Sequence, residues 1–260
     1  MKTQHIKSHS DYPKEIYPFL FKIESNNFWF QSRNNIIGAY LKNLFPDEIE
    51  KNLLEIGCGT GFVLSYLEKM GFIVTGLDLN KVGLKFAYKR LKKPNLICSD
   101  VYKYDTKKQY DIVCLFDVIE HFDDDSSIIR KCKNLIKNNG YLIITIPARK
   151  ELWSKIDTLS GHKRRYSKEK LIKLLSTAGY TIERVNYFHF SLYLPRVIFR
   201  KFIEIKYKNQ INSNGLLEKS LMINKYFNFA LKILLSFENL LFDFIPFPVG
   251  TSLIIRARKS

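Results

Sequence analysis

From residue 52 onward, short apolar runs alternate with stretches of helical periodicity. "NLLEI" at 52–56, "FIVTGLDL" at 72–79, "NLIC" at 95–98, "YDIVCLF" at 110–116 and "GYLIITIP" at 140–147 read as strands. Between them, up to Met70, over 80–91 and over 124–137, apolar residues recur three and four positions apart, as one face of a helix requires. Strand and helix alternating at this spacing predict parallel βαβ units in a doubly wound sheet. A further helix in "SKEKLIKLLSTAGY", with Ser167 as its N-cap and Gly179 as its stop, leads into a sixth strand over 180–187. The last strand, over 251–258 in "GTSLIIRAR", comes only after a long, mostly helical and apolar insertion at 188–249. Ahead of the first strand, "NNFWFQSRNNIIGAYLKN" reads as an amphipathic helix.

The insertion has an unusual balance. In "YFNFALKILLSFENLLFDFIPFP" (226–248), read as a helix, the polar residues Lys225, Asn228, Lys232, Ser236, Asn239 and Asp243 form one stripe. Apart from Glu238 the rest is apolar, the reverse of an ordinary surface helix, so the segment calls for cover by core, a second subunit or lipid. The charged stripe rules out a spanning helix, and Pro246 and Pro248 turn the chain back toward the sheet. Upstream, over 188–208, Arg196, Arg200, Glu204 and Lys208 stand four residues apart and, with Lys201 and Lys206, make a basic amphipathic element. A lid, a dimer contact, a membrane-facing platform and a simple completion of the core all remain open.

Composition narrows the class without choosing a function. With 260 residues and 46% hydrophobic content the chain can bury a full core, which fits one domain carrying an insertion. Three parts are expected: a helical cap at 1–50, the main α/β domain at 51–187 with 250–260, and the insertion at 188–249. Cys58, Cys98, Cys114 and Cys132 include no CxxC pair, which argues against a zinc or disulfide framework and for a reduced compartment. The N-terminus lacks an apolar leader-like run, so a cytoplasmic protein is expected, peripheral at the inner membrane face if the insertion meets lipid. The net charge of +17 is uneven: residues 149–209 hold 15 Lys/Arg against 5 Asp/Glu, whereas 1–148 hold 21 against 17. Such an excess suits an anionic lipid surface, an anionic substrate or nucleic acid, and equally a solvated lysine-rich surface.

"LLEIGCGTGF" (53–62) carries the sharpest signal. A strand ends at Ile56, and Gly57-Cys58-Gly59-Thr60-Gly61 opens a helix, as needed when a ligand approaches backbone amides without side chains between. A GxGxxG dinucleotide fingerprint would place glycine at position 62, where this chain has Phe62, so NAD binding is disfavoured. Glycine turn and then Asp78 at the end of the next strand resemble the class I S-adenosylmethionine-dependent methyltransferases, nearest the group of the ubiquinone and menaquinone biosynthesis methyltransferases. The resemblance covers about residues 27–187 and 250–258. It implies a Rossmann-like seven-stranded sheet with the last strand antiparallel, and S-adenosylmethionine as cofactor.

The same resemblance implies roles for particular residues. Glu55, Gly57, Gly59 and Gly61 would form the cofactor turn, Asp78 with Leu79 would meet the ribose, and Asp100 with the Val101 amide would meet the adenine. Asp100 is alternatively a plain turn residue. In "CLFDVIEHF" (114–122), Phe116 and Asp117 would lie beside the cofactor. His121, the only histidine of the strand–helix core, could take a proton from an acceptor hydroxyl with Glu120 beside it, an imidazole ordinarily titrating near pH about 6.5. Otherwise Glu120 and His121 only shape the start of the next helix. No spacing among Asp117, Glu120 and His121 forces a metal site, and no metal is expected. Gly161-His162-Lys163-Arg164-Arg165-Tyr166 resembles a GHxRRY element of this group. His162, Arg164, Arg165 and Tyr166 are its candidate substrate contacts, the alternative being a basic loop clamped to the sheet. In related enzymes a helix before the first strand closes over the cofactor, which makes Arg33 and Trp29 candidates there, with core packing open for Trp29.

Together these expectations describe a methyltransferase acting on the oxygen of a small-molecule, isoprenoid, glycan or lipid-linked acceptor, with an anionic membrane surface or a second copy as partners. No N/DPPY-type sequence follows the fourth strand, which weakens DNA methylation. The alternatives are an RNA-modifying methyltransferase, for which no appended binding module is evident, and a non-catalytic cofactor-binding module.

Overall fold

In the computed structural model, residues 14–46, 50–198 and 215–260 are described. Seven strands form one sheet in the order β3-β2-β1-β4-β5-β7-β6. They are β1 (Asn52–Ile56), β2 (Ile73–Asp78), β3 (Leu96–Cys98), β4 (Tyr110–Phe116), β5 (Ile136–Pro147), β6 (Tyr180–Phe188) and β7 (Ser252–Lys259). β1 to β5 run parallel, and β7 lies antiparallel between β5 and β6. This is the Rossmann-like sheet with a reversed last strand that the resemblance implies. β5 starts four residues earlier than the apolar run suggests, because Ile136 pairs with Tyr110 across a register irregularity and so ends the preceding helix at Leu135.

The central strands are buried on both faces, which is why they read as unbroken apolar runs. Leu54, Val113, Leu115, Leu142 and Ile144 point into one core, with helices α5 (Asp125–Leu135) and α7 (Lys168–Thr177) packed over it. Leu53, Ile112, Cys114 and Ile143 point into the other, covered by α2 (Phe28–Lys42), α3 (Phe62–Lys69) and α4 (Lys81–Arg90). Of the four free cysteines, Cys58, Cys114 and Cys132 are buried and Cys98 is exposed. The remaining helices are α1 (Ile16–Ile23), α6 (Lys155–Leu159), α8 (Leu216–Leu221) and α9 (Lys225–Leu241). Among the described residues no helix is long and apolar enough to cross a membrane.

The α9 helix packs the opposite way from the expectation that its apolar residues would be the covered ones. Asn228 and Asn239 of its polar stripe face the protein together with Leu235 and Glu238, whereas Lys225 and Ser236 are exposed. Asn228 Oδ1 accepts the Phe28 amide at 2.9 Å and its Nδ2 donates to the Asn26 carbonyl at 2.8 Å, so a side chain from α9 helps cap α2. Ser32 donates to Asn239 Oδ1 at 3.1 Å. The carboxylate of Glu238, buried in the same contact, accepts the Phe190 and Ser191 amides at 2.7 and 2.9 Å, and so caps the single helical turn Phe190–Leu192 that follows β6. The large apolar side chains of α9, by contrast, are mostly in solvent. The basic element expected over 188–208 is described only to residue 198, with 193–198 helical; Arg200, Lys201, Glu204, Lys206 and Lys208 lie outside the described residues.

His189 sits where β6, α2 and the insertion meet. It is fully buried, with a left-handed backbone (φ 56°). The Ser32 hydroxyl spends its proton on Asn239, so it accepts from His189 Nε2 at 3.0 Å. Burial first, then the Arg196 and Arg33 charges, lower the pKa of His189 to about 3. A neutral imidazole in the fold that titrates at about 6.5 when unfolded gives stability that is present above pH 6.5 and lost as pH falls toward 3. In urea titrations, the stability advantage of wild type over His189→Asn is therefore expected to shrink by about 1.4 kcal/mol per pH unit below pH about 6.5. Glu238→Ala, which strands two amides, is expected to cost about 2 kcal/mol in the same titrations at neutral pH.

Candidate active site

Open α/β sheets bind ligands beyond the carboxyl ends of their strands, and the turn after β1 stands there. Gly57, Gly59 and Gly61 all have left-handed backbones, with φ of 74°, 52° and 71°. The reasons differ. A Cβ on Gly57 would come within 2.7 Å of Val118, and one on Gly61 within 2.7 Å of Ala87, so these two allow close packing. A Cβ on Gly59 would find nothing nearer than the Tyr17 ring at 4.0 Å, so this glycine faces open space. Asp78, ending β2, accepts the Gly59 amide at 2.7 Å and the Asn80 amide at 2.7 Å, which ties the two strand ends together. Leu79 beside it is exposed. Asp100 accepts the Tyr102 amide at 2.7 Å and thus closes its own turn, while Val101 is buried.

Glu55 is buried beneath this turn. Burial pushes its carboxyl well above the usual range, against the opposing charge of Arg33. Among the described residues its Oε2 has no hydrogen-bond partner. The α1 helix closes one side of the cradle through contacts not evident in the sequence pattern. Thr60 donates to Glu24 at 2.6 Å, and Glu24 pairs with Arg90 at 2.7 Å. The open cradle at Gly59, the Asp78 carboxylate, exposed Leu79 and the orphaned acceptor on Glu55 fit a nucleoside cofactor of the kind the resemblance implies.

The second half of the site lies after β4. Phe116 puts its ring into the core, so of the expected pair only Asp117 offers a side chain here. Asp117 has a left-handed backbone (φ 57°) and forms an ion pair with Arg33, whose guanidinium lies 4.8 Å over the Trp29 ring. Glu120 is fully buried with neither carboxylate oxygen hydrogen-bonded among the described residues; burial, then the Asp117 charge, push its carboxyl well above the usual range.

His121 is not the only histidine here. The His162 ring packs edge-on against it, 4.9 Å between centroids, and His162 Nε2 stands 3.9 Å from Glu120 Oε1. The other ring nitrogen of His162 meets Asp157 at 3.1 Å. Burial would raise the Asp157 pKa, but the hydrogen bond to His162 and the charge of Arg165 outweigh it and hold this carboxylate well below the usual range. Glu120, His121 and His162 each offer one ligand atom, all within 4.8 Å of one another. One carboxyl and two imidazoles at that spacing can receive a proton or hold a small divalent cation. Asp117, considered for an ion from the sequence, is turned to Arg33 instead.

Of the side chains in the 161–166 element that were candidates, His162 is the one that joins this cluster, and the Lys163 amide fixes the loop there by donating to the Glu120 carbonyl at 2.8 Å. Arg165 is buried, bonding Asp157 at 2.8 Å and the Ala148 carbonyl at 3.0 Å. Tyr166 is fully buried and donates to Asp125 at 2.8 Å. Arg164 pairs with Asp125 at 3.0 Å and donates to the Asp123 carbonyl. As substrate contacts, Arg165 and Tyr166 are thus corrected: they are the clamp that fixes this loop to the sheet and to the start of α5, and so carry His162 to His121. Asp157, the center of that clamp, gave no signal in the sequence beyond its place four residues before Gly161 in a basic stretch.

A family model described as a methyltransferase domain matches residues 29–185, more than half of the chain. The ubiquinone biosynthesis O-methyltransferase of Proteus mirabilis is 34% identical over 112 residues, covering 40% of this chain and 45% of that protein. Its counterpart from Glaesserella parasuis is 35% identical over 118 residues, covering 41% and 50%. The alignments thus span half or less of these relatives. Among solved structures, the plantazolicin methyltransferase BpumL in complex with S-adenosylhomocysteine superposes with a TM-score of 0.59 at 15% identity, covering 95% of this chain and 90% of that one. Phosphoethanolamine N-methyltransferase 2 of Haemonchus contortus, in complex with S-adenosylmethionine, gives 0.55 at 19% identity, covering 89% and 52%. At such identities the superpositions speak for the fold alone. Family match, strand order and glycine turn agree, and the chain belongs to the class I S-adenosylmethionine-dependent methyltransferases.

Proposed function

We propose that the enzyme methylates a hydroxyl oxygen on a small-molecule, isoprenoid, glycan or lipid-linked acceptor. The observation that supports this most is the packing of His121 and His162 against the buried Glu120, next to Asp117 at the end of β4. A hydroxyl must lose its proton as it is methylated, and a pair of imidazoles at the carboxyl edge of the sheet is the group suited to take it. The ubiquinone biosynthesis relatives act as O-methyltransferases by name, which favors oxygen over nitrogen or carbon.

In this reading the glycine turn, Glu55, Asp78, Leu79, Asp100 and the Val101 amide hold the cofactor, and Arg33 with Asp117 closes the site from the cap. When bound, the cofactor supplies an electrophilic methyl carbon and a neutral thioether leaving group. His121 receives the acceptor proton. His162, oriented by the ionized Asp157, shares the positive charge that results. Much of the rate comes from alignment of the reacting atoms in a dry pocket, so loss of the base is costly without being total.

The test is incubation with methyl-labeled S-adenosylmethionine and an organic or an aqueous extract. Label in a product that survives alkaline hydrolysis, as an ether does and an ester does not, is expected; label in RNA alone would overturn the reading. His121→Ala is expected to lower kcat by about 10²-fold or more with cofactor affinity nearly unchanged. Activity that survives a chelator supports the proton-acceptor role, whereas loss restored by a divalent cation would reassign the three side chains to an ion. Gly59→Ala, whose Cβ enters open space, is expected to weaken S-adenosylhomocysteine binding in calorimetry by about tenfold while costing only about 1 kcal/mol of stability.

A further inference from the structure

The α9 helix turns its apolar residues outward. Tyr226, Phe229, Ile233, Phe237 and Leu240 lie along one face of this 17-residue helix, about 25 Å long, with Phe229 and Phe237 65% and 64% exposed, and Phe244, 84% exposed, follows just beyond its end. Leu194 and Ile198, in the segment whose first turn Glu238 caps, are exposed as well. A soluble surface rarely carries so many large apolar groups together unless something covers them.

Charge decides among the candidates for cover. Two copies of a chain with a net charge of +17 repel each other, whereas an anionic lipid surface attracts each copy. The two acids of this stretch both turn to the protein body: Glu238 is buried under the Phe190 and Ser191 amides, and Asp243 pairs with Arg184 at 3.0 Å. Lys219 and Lys225 are exposed near the start of the helix. An outward face that is aromatic and aliphatic, lacks carboxylates and is bordered by lysine is built for the boundary between headgroups and acyl chains, where the helix lies flat. Nucleic acid, whose outer surface is phosphate, offers nothing to such a face.

We propose that α9 docks the enzyme on a membrane surface that carries anionic lipid. The helix lies parallel to the bilayer with Phe229, Phe237 and Phe244 in the interface, while Asn228 and Asn239 on its opposite side hold α2. Since α2 carries Arg33, the cap of the active site then rides one helix layer, about 8–10 Å, above the docked helix. This docking goes beyond the methyl-transfer reading and can stand or fall without it.

Flotation of the full chain with phosphatidylcholine vesicles, with and without phosphatidylglycerol, tests the assignment. Flotation is expected only when phosphatidylglycerol is present, and Phe229→Ser/Phe237→Ser/Phe244→Ser is expected to reduce it roughly tenfold or more. The three side chains are exposed, so the variant should keep the wild-type melting temperature, and its fold is checked by that measurement. No flotation with either vesicle, equal flotation with both, or unchanged flotation of the triple variant would overturn the proposal. A dimer in light scattering that the triple variant dissolves would overturn it in favor of a second copy.

Discussion

The ion pair between Arg33 and Asp117 is the contact through which the parts of this protein depend on one another. Both side chains are largely withdrawn from water, Asp117 holds a left-handed backbone at the end of β4, and Arg33 comes from a helix outside the sheet. Removing either partner of such a pair leaves a buried charge, at a cost of about 3–5 kcal/mol. The cap helix and the end of β4 are thus each a condition for the other's geometry. The dependence runs further outward. α9 packs along α2, where Asn228 meets the Phe28 amide and Asn239 meets the buried Ser32. An insertion placed just before the last strand thereby supports the helix that carries Arg33.

A second buried carboxylate performs the same service on the other side of the site. Asp157 accepts from the Ser154 amide, His162 and Arg165, and a carboxylate with that many donors stays ionized in the interior. The basic run at 161–166 is consequently spent largely on internal contacts. Pairing leaves the net charge as it is, but it changes where that charge is available. The arginines that looked like an anion fork are the scaffold for one histidine.

The strands were legible because a parallel sheet buried on both faces writes itself as apolar runs, and the turn after β1 was legible because left-handed backbone requires glycine at positions 57, 59 and 61. Asp78 was legible as an acid at a strand end. The partnership of His121 with His162 was not, since forty residues separate them and tertiary contacts bring them together, the Lys163 amide bonding the Glu120 carbonyl and Arg165 and Tyr166 clamping the loop. Glu24 with Arg90 was hidden for the same reason. Glu238 read as an exception in an apolar helix, and became intelligible only beside the amides of Phe190 and Ser191.

The sequence by itself determined the order of elements and the glycine cradle, because each rests on local periodicity or on the backbone freedom of single residues, and its resemblance to a known family implied the class of cofactor. It also determined that 225–243 has a polar stripe and an apolar remainder. Which of the two faces outward was decided by tertiary structure alone. Helical periodicity defines faces and carries no sign for inside and outside; that sign came from the Phe28 amide and the Ser32 hydroxyl of α2, which took Asn228 and Asn239 as partners and left Phe229 and Phe237 on the solvent side.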